Sequence, residues 1–488
     1  MKNISVIGLN LLLVLLAVCS CKKLVEVDSP ETSISSKTAF NNDATAIGAI
    51  TSLYTNLTNG SLTDPGELIG LSSIASLSAD DLDYYPLAGN PSLGLYYQNA
   101  LTTANPYGTG FWGRSYERIY LVNMALEEIP PAKDLNPKVK QQLLGEASFM
   151  RAFYYFYLVN LYGDVPLVLT TDYNTNALIN KSPKENVYTQ IISDLTEAEN
   201  LLSDKYLKAD GLTSYPDGNE ERIRPTKWAA AALMARTYLY TGQWTDADRA
   251  ATSILSNTTQ YQLTDLNQVF LKNNMEAIWQ LQPVSFGYNT SDARVFIIPD
   301  VGPGPDNPVF LSGNLWNFFE PGDHRKTSWL GSVISNGITY HYPFKYKVRY
   351  DPAGQSAPVT EYNTVMRLAE QYLIRAEARV HLGNRLGAIS DLDKIRERAG
   401  LKLIKDINPN IGEQELIAAI LKEKRAELFT EWGHRWLDLK RTGKIDEVMT
   451  IITPKKGGGL TWKSYQQYYP ISINELKFNP NLSPTPGY

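Results

Sequence analysis

Two stretches of this chain share one helix–turn–helix pattern, and such hairpins can bury their apolar faces only by stacking helix on helix. They span residues 228–255 and 366–399, and a shift of 141 residues aligns Gly242 of the first with Gly383 of the second. Alanines recur at matching positions on both sides of the turn. Small alanines let helices approach closely, and glycine permits the tight turn. The pattern predicts a mainly α fold built from paired helices.

Each hairpin resembles a tetratricopeptide-type helical hairpin. Further helices are expected at 40–57, 65–78, 112–129, 137–161 and 183–202. Between the hairpins, residues 258–359 are rich in Pro, Gly, Asn and aromatic residues, with β-like runs at 277–282 and 294–298. A loop-rich region of this length inside a helical protein is usually functional. We therefore expect a tetratricopeptide-like helical-hairpin scaffold with a long irregular insertion that carries short β elements.

The N-terminal segment predicts export and lipidation. Lys2 precedes an apolar run, residues 6–18, which stops at Cys19-Ser20-Cys21. This order is typical of a secretory signal, and the run is too short to span a bilayer. A cysteine at the cleavage point resembles a bacterial lipobox, with Cys21 as the better lipid acceptor because small Ser20 precedes it. We expect a signal peptide over 1–20 and a lipidated tether over 21–38; an ordinary signal peptide with incidental cysteines is the alternative.

Composition narrows the possible partners. The net charge of −5 argues against a nucleic-acid ligand. The chain has 2 cysteines, both in the N-terminal segment, and 4 histidines without metal-ligand spacing. We therefore expect neither a disulfide in the mature chain nor a metal or other cofactor. The 30 tyrosines offer rings with a flat apolar face and a polar tip, which suit a partly wet binding surface or helix packing.

An ordered set of sequence blocks extends over nearly the whole chain. The blocks are CKKLVEV at 21–27, EASFMRAFYYFYLVNLYGDVPLV at 146–168, RPTK at 224–227, RLAEQYLIRAE at 367–377, EWGHRWLDLKRTG at 431–443 and the tail from YPI at 469–471 to PGY at 486–488. Together they resemble the SusD/RagB family of outer-membrane nutrient-binding lipoproteins. No single block is decisive, but their order along the chain is specific.

The resemblance implies a function and a division of the chain. It implies a cell-surface lipoprotein that captures glycan, or less often peptide, and delivers it to a SusC-type TonB-dependent transporter barrel without catalysing a reaction. It also implies one domain over 39–488 after the signal peptide and tether. Its parts are a helical scaffold at 39–257 and 360–450, the ligand-binding insertion at 258–359, and an irregular C-terminal tail at 451–488.

One cluster of carboxylates raises the question of catalysis. Glu423, Glu427 and Glu431 are spaced by four, so they share a helix face close to His434. Paired carboxylates can cleave a glycoside. With basic neighbours nearby (Lys422, Lys424, Arg425 and Arg435), however, this spacing favours a salt-bridged face. Neither a Gly-x-Ser-x-Gly elbow nor a His-Glu-x-x-His helix occurs in the sequence.

Candidate ligand contacts lie on two loop regions. Sugar rings stack on aromatic faces, while Asp and Asn bind the hydroxyl rim by hydrogen bonds. The candidates are Asp81, Tyr84, Tyr85, Tyr96, Tyr97, Tyr288, Asn289, Trp316 and Trp329. The second region also contains Tyr340 to Tyr342 around His341. The acidic run at 80–83 lacks the glycine and closing glutamate of an EF-hand, which favours a solvated or sugar-binding turn over calcium.

The leading hypothesis is a surface lipoprotein that binds oligosaccharide for an outer-membrane importer. Three alternatives remain open. The same fold could take peptide, the chain could be a secreted glycosidase, or it could be a repeat scaffold that binds only protein.

Overall fold

The computed structural model describes residues 39–58, 67–104, 110–284, 287, 289–349 and 359–488. The predicted signal peptide, the tether with Cys21, and Tyr288 lie outside these residues. The described part is mainly helical, as predicted, and none of its helices combines the length and apolar character needed to cross a bilayer. The α-helices, in chain order, are α1 Asp43–Thr58, α2 Leu71–Ser78, α3 Pro91–Tyr97, α4 Gly110–Glu128, α5 Pro137–Tyr162, α6 Tyr173–Asn176, α7 Lys184–Leu201, α8 Lys227–Tyr240, α9 Trp244–Leu255, α10 Ser291–Phe296, α11 Gly313–Trp316, α12 His324–Trp329, α13 Leu368–His381, α14 Arg385–Arg398, α15 Ile404–Ile407, α16 Glu413–Leu428, α17 His434–Arg441, α18 Ile445–Ile452 and α19 Ile473–Phe478.

The strands form small antiparallel pairs rather than one sheet. They are β1 Leu82–Tyr84, β2 Val165–Pro166, β3 Lys181–Ser182, β4 Ala277–Leu281, β5 Val309–Leu311, β6 Leu330–Ser335, β7 Ile338–Pro343 and β8 Asn363–Arg367. β1 pairs with β5, β2 with β3, β4 with β8, and β6 with β7. The β6–β7 hairpin turns at Asn336 and Gly337, whose φ angles of 51° and 77° suit a two-residue hairpin loop.

The two predicted helical hairpins are present with the predicted alignment. The shift of 141 residues that aligns the sequences also aligns the start of α8 with that of α13, and the start of α9 with that of α14. Gly242 and Gly383 make the turns with φ of 71° and 73°. α9 packs on α13, where Ala247, Ala251 and Ala378 share one buried cluster. The tetratricopeptide-like prediction is confirmed.

Helix α5 is the centre of the core, and it explains much of the aromatic content. Most of its residues are buried, including its four tyrosines. Phe149 and Phe153 lie edge-on to Trp279 of β4, with ring centroids 5.0 and 5.4 Å apart. The Trp279 indole N–H donates to the carbonyl of Ile223 at 3.0 Å. Many of the tyrosines and phenylalanines therefore pack helices together instead of facing a ligand.

The region 258–359 shares the core with the helices. Phe270, Trp279 and Trp329, all in this region, belong to the same buried cluster as α5. The predicted β-like run at 277–282 corresponds to β4. The one at 294–298 is wrong, because residues 291–296 form α10. Thr290 accepts a hydrogen bond from the Ala293 backbone N–H at 3.0 Å, and this N-cap starts a helix that the β-branched residues of the run would not predict.

A buried charge cluster joins the second hairpin to the insertion. It contains Arg325, Arg367 and Arg398 with Glu276 and Glu427, all at most 9% exposed in their side chains. Arg367 Nη1 lies 3.0 Å from Glu276 and 2.5 Å from Glu427, and Arg325 Nη1 lies 3.0 Å from Glu427. Burial opposes ionisation of Glu427, but the three arginines hold its pKa well below the usual range.

The cluster also answers the question about the helical carboxylates. Glu423 binds Arg325 and Arg396 at 2.6 and 3.0 Å, and Glu431 binds Arg367 at 2.8 Å. These residues form ion pairs, as predicted, but Glu431 does not share the helix face, because α16 ends at Leu428. Their partners, however, come from α12, β8 and α14 instead of neighbouring turns, because this face is buried against those elements.

A pH prediction follows from His434, which is buried at the start of α17 among Glu370, Arg236, Asp438 and Lys424. Burial lowers its pKa to about 4. In the unfolded chain the pKa of a histidine imidazole is about 6.5. Between these values only the unfolded chain takes up the proton, so this group makes the free energy of unfolding fall by about 1.4 kcal/mol per pH unit as the pH drops.

We expect His434→Gln to flatten the stability profile between these two pKa values. The measurement is urea denaturation across that pH range, comparing the slopes of the variant and the unmodified chain. His324→Gln is the control, because His324 is exposed. Equal slopes for all three proteins would contradict the assignment.

Candidate functional site

Three aromatic side chains from separate elements meet at the surface and form what we call the aromatic platform. Tyr85 follows β1, Phe310 lies on β5 and Tyr340 lies on β7. The Tyr340 ring centroid is 5.3 Å from that of Phe310 and 6.3 Å from that of Tyr85, with both contacts edge-on. All three side chains are partly exposed. Leu87, two residues after Tyr85, is 80% exposed.

Backbone pairing holds the platform in place. Leu82 pairs with Leu311 and Asp83 with Phe310, so strand alternation buries both leucines and leaves Phe310 partly exposed. The Tyr85 backbone N–H donates to the carbonyl of Pro308 at 2.8 Å. The rings therefore sit on hydrogen-bonded strands, which restricts their movement relative to one another.

Ion pairs anchor the segment that leads into β1. Arg435 Nε lies 2.8 Å from Asp80, and Arg425 Nη2 lies 2.9 Å from Asp80 and 3.0 Å from Asp81. Burial would raise the pKa of Asp80, but the two arginines outweigh it and lower the pKa. The Lys456 ammonium group donates hydrogen bonds to the backbone carbonyls of residues 77–79, which come just before Asp80. Across the described residues, no group of three or more His, Cys, Asp or Glu side chains could hold a metal ion.

A second ring group is built on the next residue of β7. His341 stacks on Trp316 with centroids 3.5 Å apart and planes 4° apart. Lys326 Nζ lies over the Trp316 ring, 4.4 Å from its centroid, and Ser332 Oγ is 2.7 Å from His341 Nδ1. Burial and Lys326 lower the pKa of His341, which favours the neutral imidazole. This group braces the hairpin that carries Tyr340.

Comparisons with known proteins agree with the fold and the sequence blocks. One family model, described as the SusD family, matches residues 322–488, and a second, described as starch-binding associating with outer membrane, matches residues 88–239. The chain belongs to the SusD/RagB family.

The similarity to individual SusD-like proteins extends over nearly the full chain. A SusD-like protein P25 from Formosa agariphila is 24% identical over 95% of both chains. A solved SusD superfamily protein from Bacteroides vulgatus superposes with a TM-score of 0.76 at 22% identity, covering 90% of this chain and 98% of the other. A laminarin binding SusD-like protein superposes with a TM-score of 0.73 at 22% identity, covering 92% and 100%. The solved structures establish the shared fold.

Four of the predicted ligand contacts are buried in this SusD-family fold. The prediction of exposure is wrong for Asp81, Tyr96 and Trp329, each 0% exposed, and for Asn289 at 5%. Asp81 is bound by Arg425, and Tyr96 packs edge-on against Tyr469 at 5.1 Å.

The other two buried candidates also have structural partners. The Trp329 indole N–H donates to the carbonyl of Leu266 at 2.8 Å. Asn289 Oδ1 accepts from the backbone N–H groups of Thr360 and Glu361 at 2.8 and 2.9 Å. These four side chains support the loops from within the fold.

The remaining described candidates are partly exposed, in different settings. Tyr85 belongs to the platform. The ring centroids of Tyr84 and Tyr97 lie 6.5 Å apart. The Tyr84 hydroxyl donates a hydrogen bond to the carbonyl of Asn90, and the Tyr97 hydroxyl donates one to the carboxylate of Asp83. Trp316 is engaged by His341 and Lys326, so its ring is less available for stacking than that of Tyr85.

Sequence reasoning missed Phe310. It lies in a Val-Phe-Leu triplet whose flanking residues are buried while the phenylalanine is partly exposed. The period-2 alternation of a half-buried strand was the available signal. Three residues are too short for that signal to stand out, and the pairing partner β1 lies more than two hundred positions away in the sequence.

Proposed function

We propose that this chain is a surface lipoprotein that binds oligosaccharide on the aromatic platform and delivers it to a SusC-type TonB-dependent transporter barrel. The observation that carries the proposal is the platform: Tyr85, Phe310 and Tyr340 are partly exposed and held on paired strands. A sugar ring has an apolar C–H face that packs on such rings, while its hydroxyls bind polar groups at their edge. Partly exposed clustered rings are otherwise unfavourable on a soluble surface.

The descriptions of related proteins support a glycan ligand. One matching family model is described as starch-binding, and a solved structure of the same fold as laminarin binding. Both ligands are polymers of glucose units. Successive sugar rings of such a polymer can stack on neighbouring aromatic rings of the platform. Peptide is the alternative ligand, and the test below includes it.

The ionisation of Glu427 and Glu431 argues against these two carboxylates acting as the acid of a glycosidase. A glycosidase needs one carboxyl group with a raised pKa to donate a proton. Glu427 and Glu431 instead have lowered pKa values, because their arginine partners outweigh burial. Both are buried, and Glu427 is 0% exposed. They are suited to holding the fold together.

Isothermal titration of the purified full-length protein against a glycan panel tests the proposal. The panel contains α- and β-glucan oligosaccharides, other plant and host glycans, and a mixture of unstructured peptides. We expect saturable binding of at least one oligosaccharide class. If no glycan binds and the peptides bind saturably, the ligand is peptide instead of sugar. Release of reducing sugar during incubation would indicate a glycosidase.

Replacement of Cys21 tests the proposed division into a signal peptide over 1–20 and a tether over 21–38. We expect Cys21→Ala to leave the protein in the soluble fraction, because the lipid chains that hold it on the membrane cannot be attached. The measurement is the share of protein that sediments with outer membranes. Cys19→Ala is the matched control and should stay membrane-bound. If the two variants exchange these behaviours, the acceptor is Cys19, and membrane association of both would contradict the anchor.

A further inference from the structure

A cavity in the helical scaffold shares no residue with the platform. Its volume is about 480 Å³, and it is enclosed by the end of α5, the first half of α7, the end of α8, α17 and the C-terminal tail. Small-molecule sites commonly have about 300–1,000 Å³. The cavity is therefore large enough for a monosaccharide-sized ligand.

One wall of the cavity carries an ammonium group with spare hydrogen-bond donors. Lys440 Nζ donates to the backbone carbonyl of Asn160 and lies 4.1 Å from the centroid of the Tyr468 ring. Among the described residues, no carboxylate lies within 4 Å of it. Lys456, in contrast, uses its ammonium group on three carbonyls, and Lys424 is paired with Asp438 at 3.1 Å. The Lys440 ammonium group has three N–H donors and makes one hydrogen bond, to the Asn160 carbonyl.

The other charged side chains that line the cavity are paired, so among the described residues Lys440 is the cation there without a carboxylate partner. Lys184 lies 4.0 Å from Glu185. Arg441 is neutralised by Glu377 at 2.6 Å and Asp438 at 2.6 Å. Glu185 is the one acidic side chain among the described lining residues, and it is 71% exposed. Burial, with Lys184 nearby, lowers the pKa of Lys440 well below its ordinary value, and a bound anion would offset that effect.

The other lining groups suit a hydroxylated ligand. Tyr188 and Tyr468 provide aromatic rings, and Asn160, Gln243 and Gln467 provide amides that both donate and accept. Tyr188 already donates to Asn160 Oδ1 at 3.0 Å, which fixes the orientation of that amide. Rings, amides and one under-used ammonium match the C–H face, the hydroxyls and the carboxylate of an acidic sugar.

We infer that this cavity is a second ligand site, which binds a monosaccharide-sized sugar acid with its carboxylate on Lys440. The site is independent of the platform, and its ligand need not be the one that binds there. A charge-assisted hydrogen bond in a partly enclosed cavity is the strongest single contact such a ligand would make.

Isothermal titration with glucuronate, glucose and acetate at constant ionic strength tests the inference on the full-length protein. We expect glucuronate to bind about tenfold more tightly than glucose or acetate, since only glucuronate offers both carboxylate and hydroxyls. Lys440→Gln should abolish that preference. Lys444→Gln, which removes a 57% exposed lysine just beyond α17, is the matched control and should preserve it.

A second variant covers the case in which Lys440→Gln fails to fold. Thr189 is exposed on α7 at the cavity, so Thr189→Trp should fill the space without disturbing the core, and should also abolish glucuronate binding. Equal binding of the three probes, no binding of glucuronate, or glucuronate binding that Thr189→Trp leaves unchanged would overturn the inference. Loss of glucuronate binding on Tyr85→Ala, with binding retained in Thr189→Trp, would assign the sugar acid to the platform.

Discussion

Replacing Arg367 by methionine is expected to lower the free energy of unfolding by about 3–5 kcal/mol, because it removes one counter-charge from each of three buried carboxylates. Arg367 is 1% exposed and donates to Glu276, Glu427 and Glu431. Methionine fills a similar length but offers no donor. Urea denaturation, followed by tryptophan fluorescence, measures the loss.

Two further variants separate charge burial from general disruption. Arg249→Met removes an arginine whose side chain is 73% exposed and paired with Asp246, so it should change stability by less than about 0.5 kcal/mol. The double variant Arg367→Met with Glu431→Gln should be more stable than the sum of the two single losses predicts, because it also removes one of the carboxylates that lost its arginine partner. Additive losses would show that the ion pairs are not coupled.

Replacing Tyr340 by alanine is expected to weaken oligosaccharide binding about tenfold, or ~1.4 kcal/mol, because the central ring of the platform is lost. Tyr85→Ala should act in the same direction. Tyr340→Phe keeps the ring and should retain most of the affinity. Isothermal titration with the glycan identified from the panel measures each change, and thermal unfolding checks that the variants stay folded.

The matched control is Tyr173→Ala, which removes a 79% exposed tyrosine that is not part of the platform. It should leave the affinity unchanged. Unchanged binding in both Tyr340→Ala and Tyr85→Ala would show that the ligand binds elsewhere. Weakening by Tyr173→Ala of the same size would show that the effects are not specific to the platform.

The helical scaffold could be predicted because its determinants are local. The alanine spacing and the turn glycines of the two hairpins act within about thirty residues, and they identify helices, turn and packing face together. The predicted helix at 137–161 matches α5, Pro137–Tyr162, for the same reason: Asn136 caps its start and Gly163 ends it.

The site could be predicted only as a region. Whether a loop aromatic is exposed depends on residues far along the chain: Tyr96 is covered by Tyr469 of the tail, and Asp81 is bound by Arg425, 344 positions away. The pattern of loop tyrosines and aspartates carries no information about these partners. Composition and spacing alone therefore could not distinguish the platform residues Tyr85 and Tyr340 from the buried Tyr96.

The separation of the two hairpins has a consequence for how the molecule is made. Since α9 packs on α13, and the platform combines residue 85 with residues 310 and 340, neither the scaffold nor the binding surface can close until most of the polypeptide has been synthesised. High contact order slows folding. Truncated fragments of this chain are consequently expected to be poor substitutes for the full chain in binding assays.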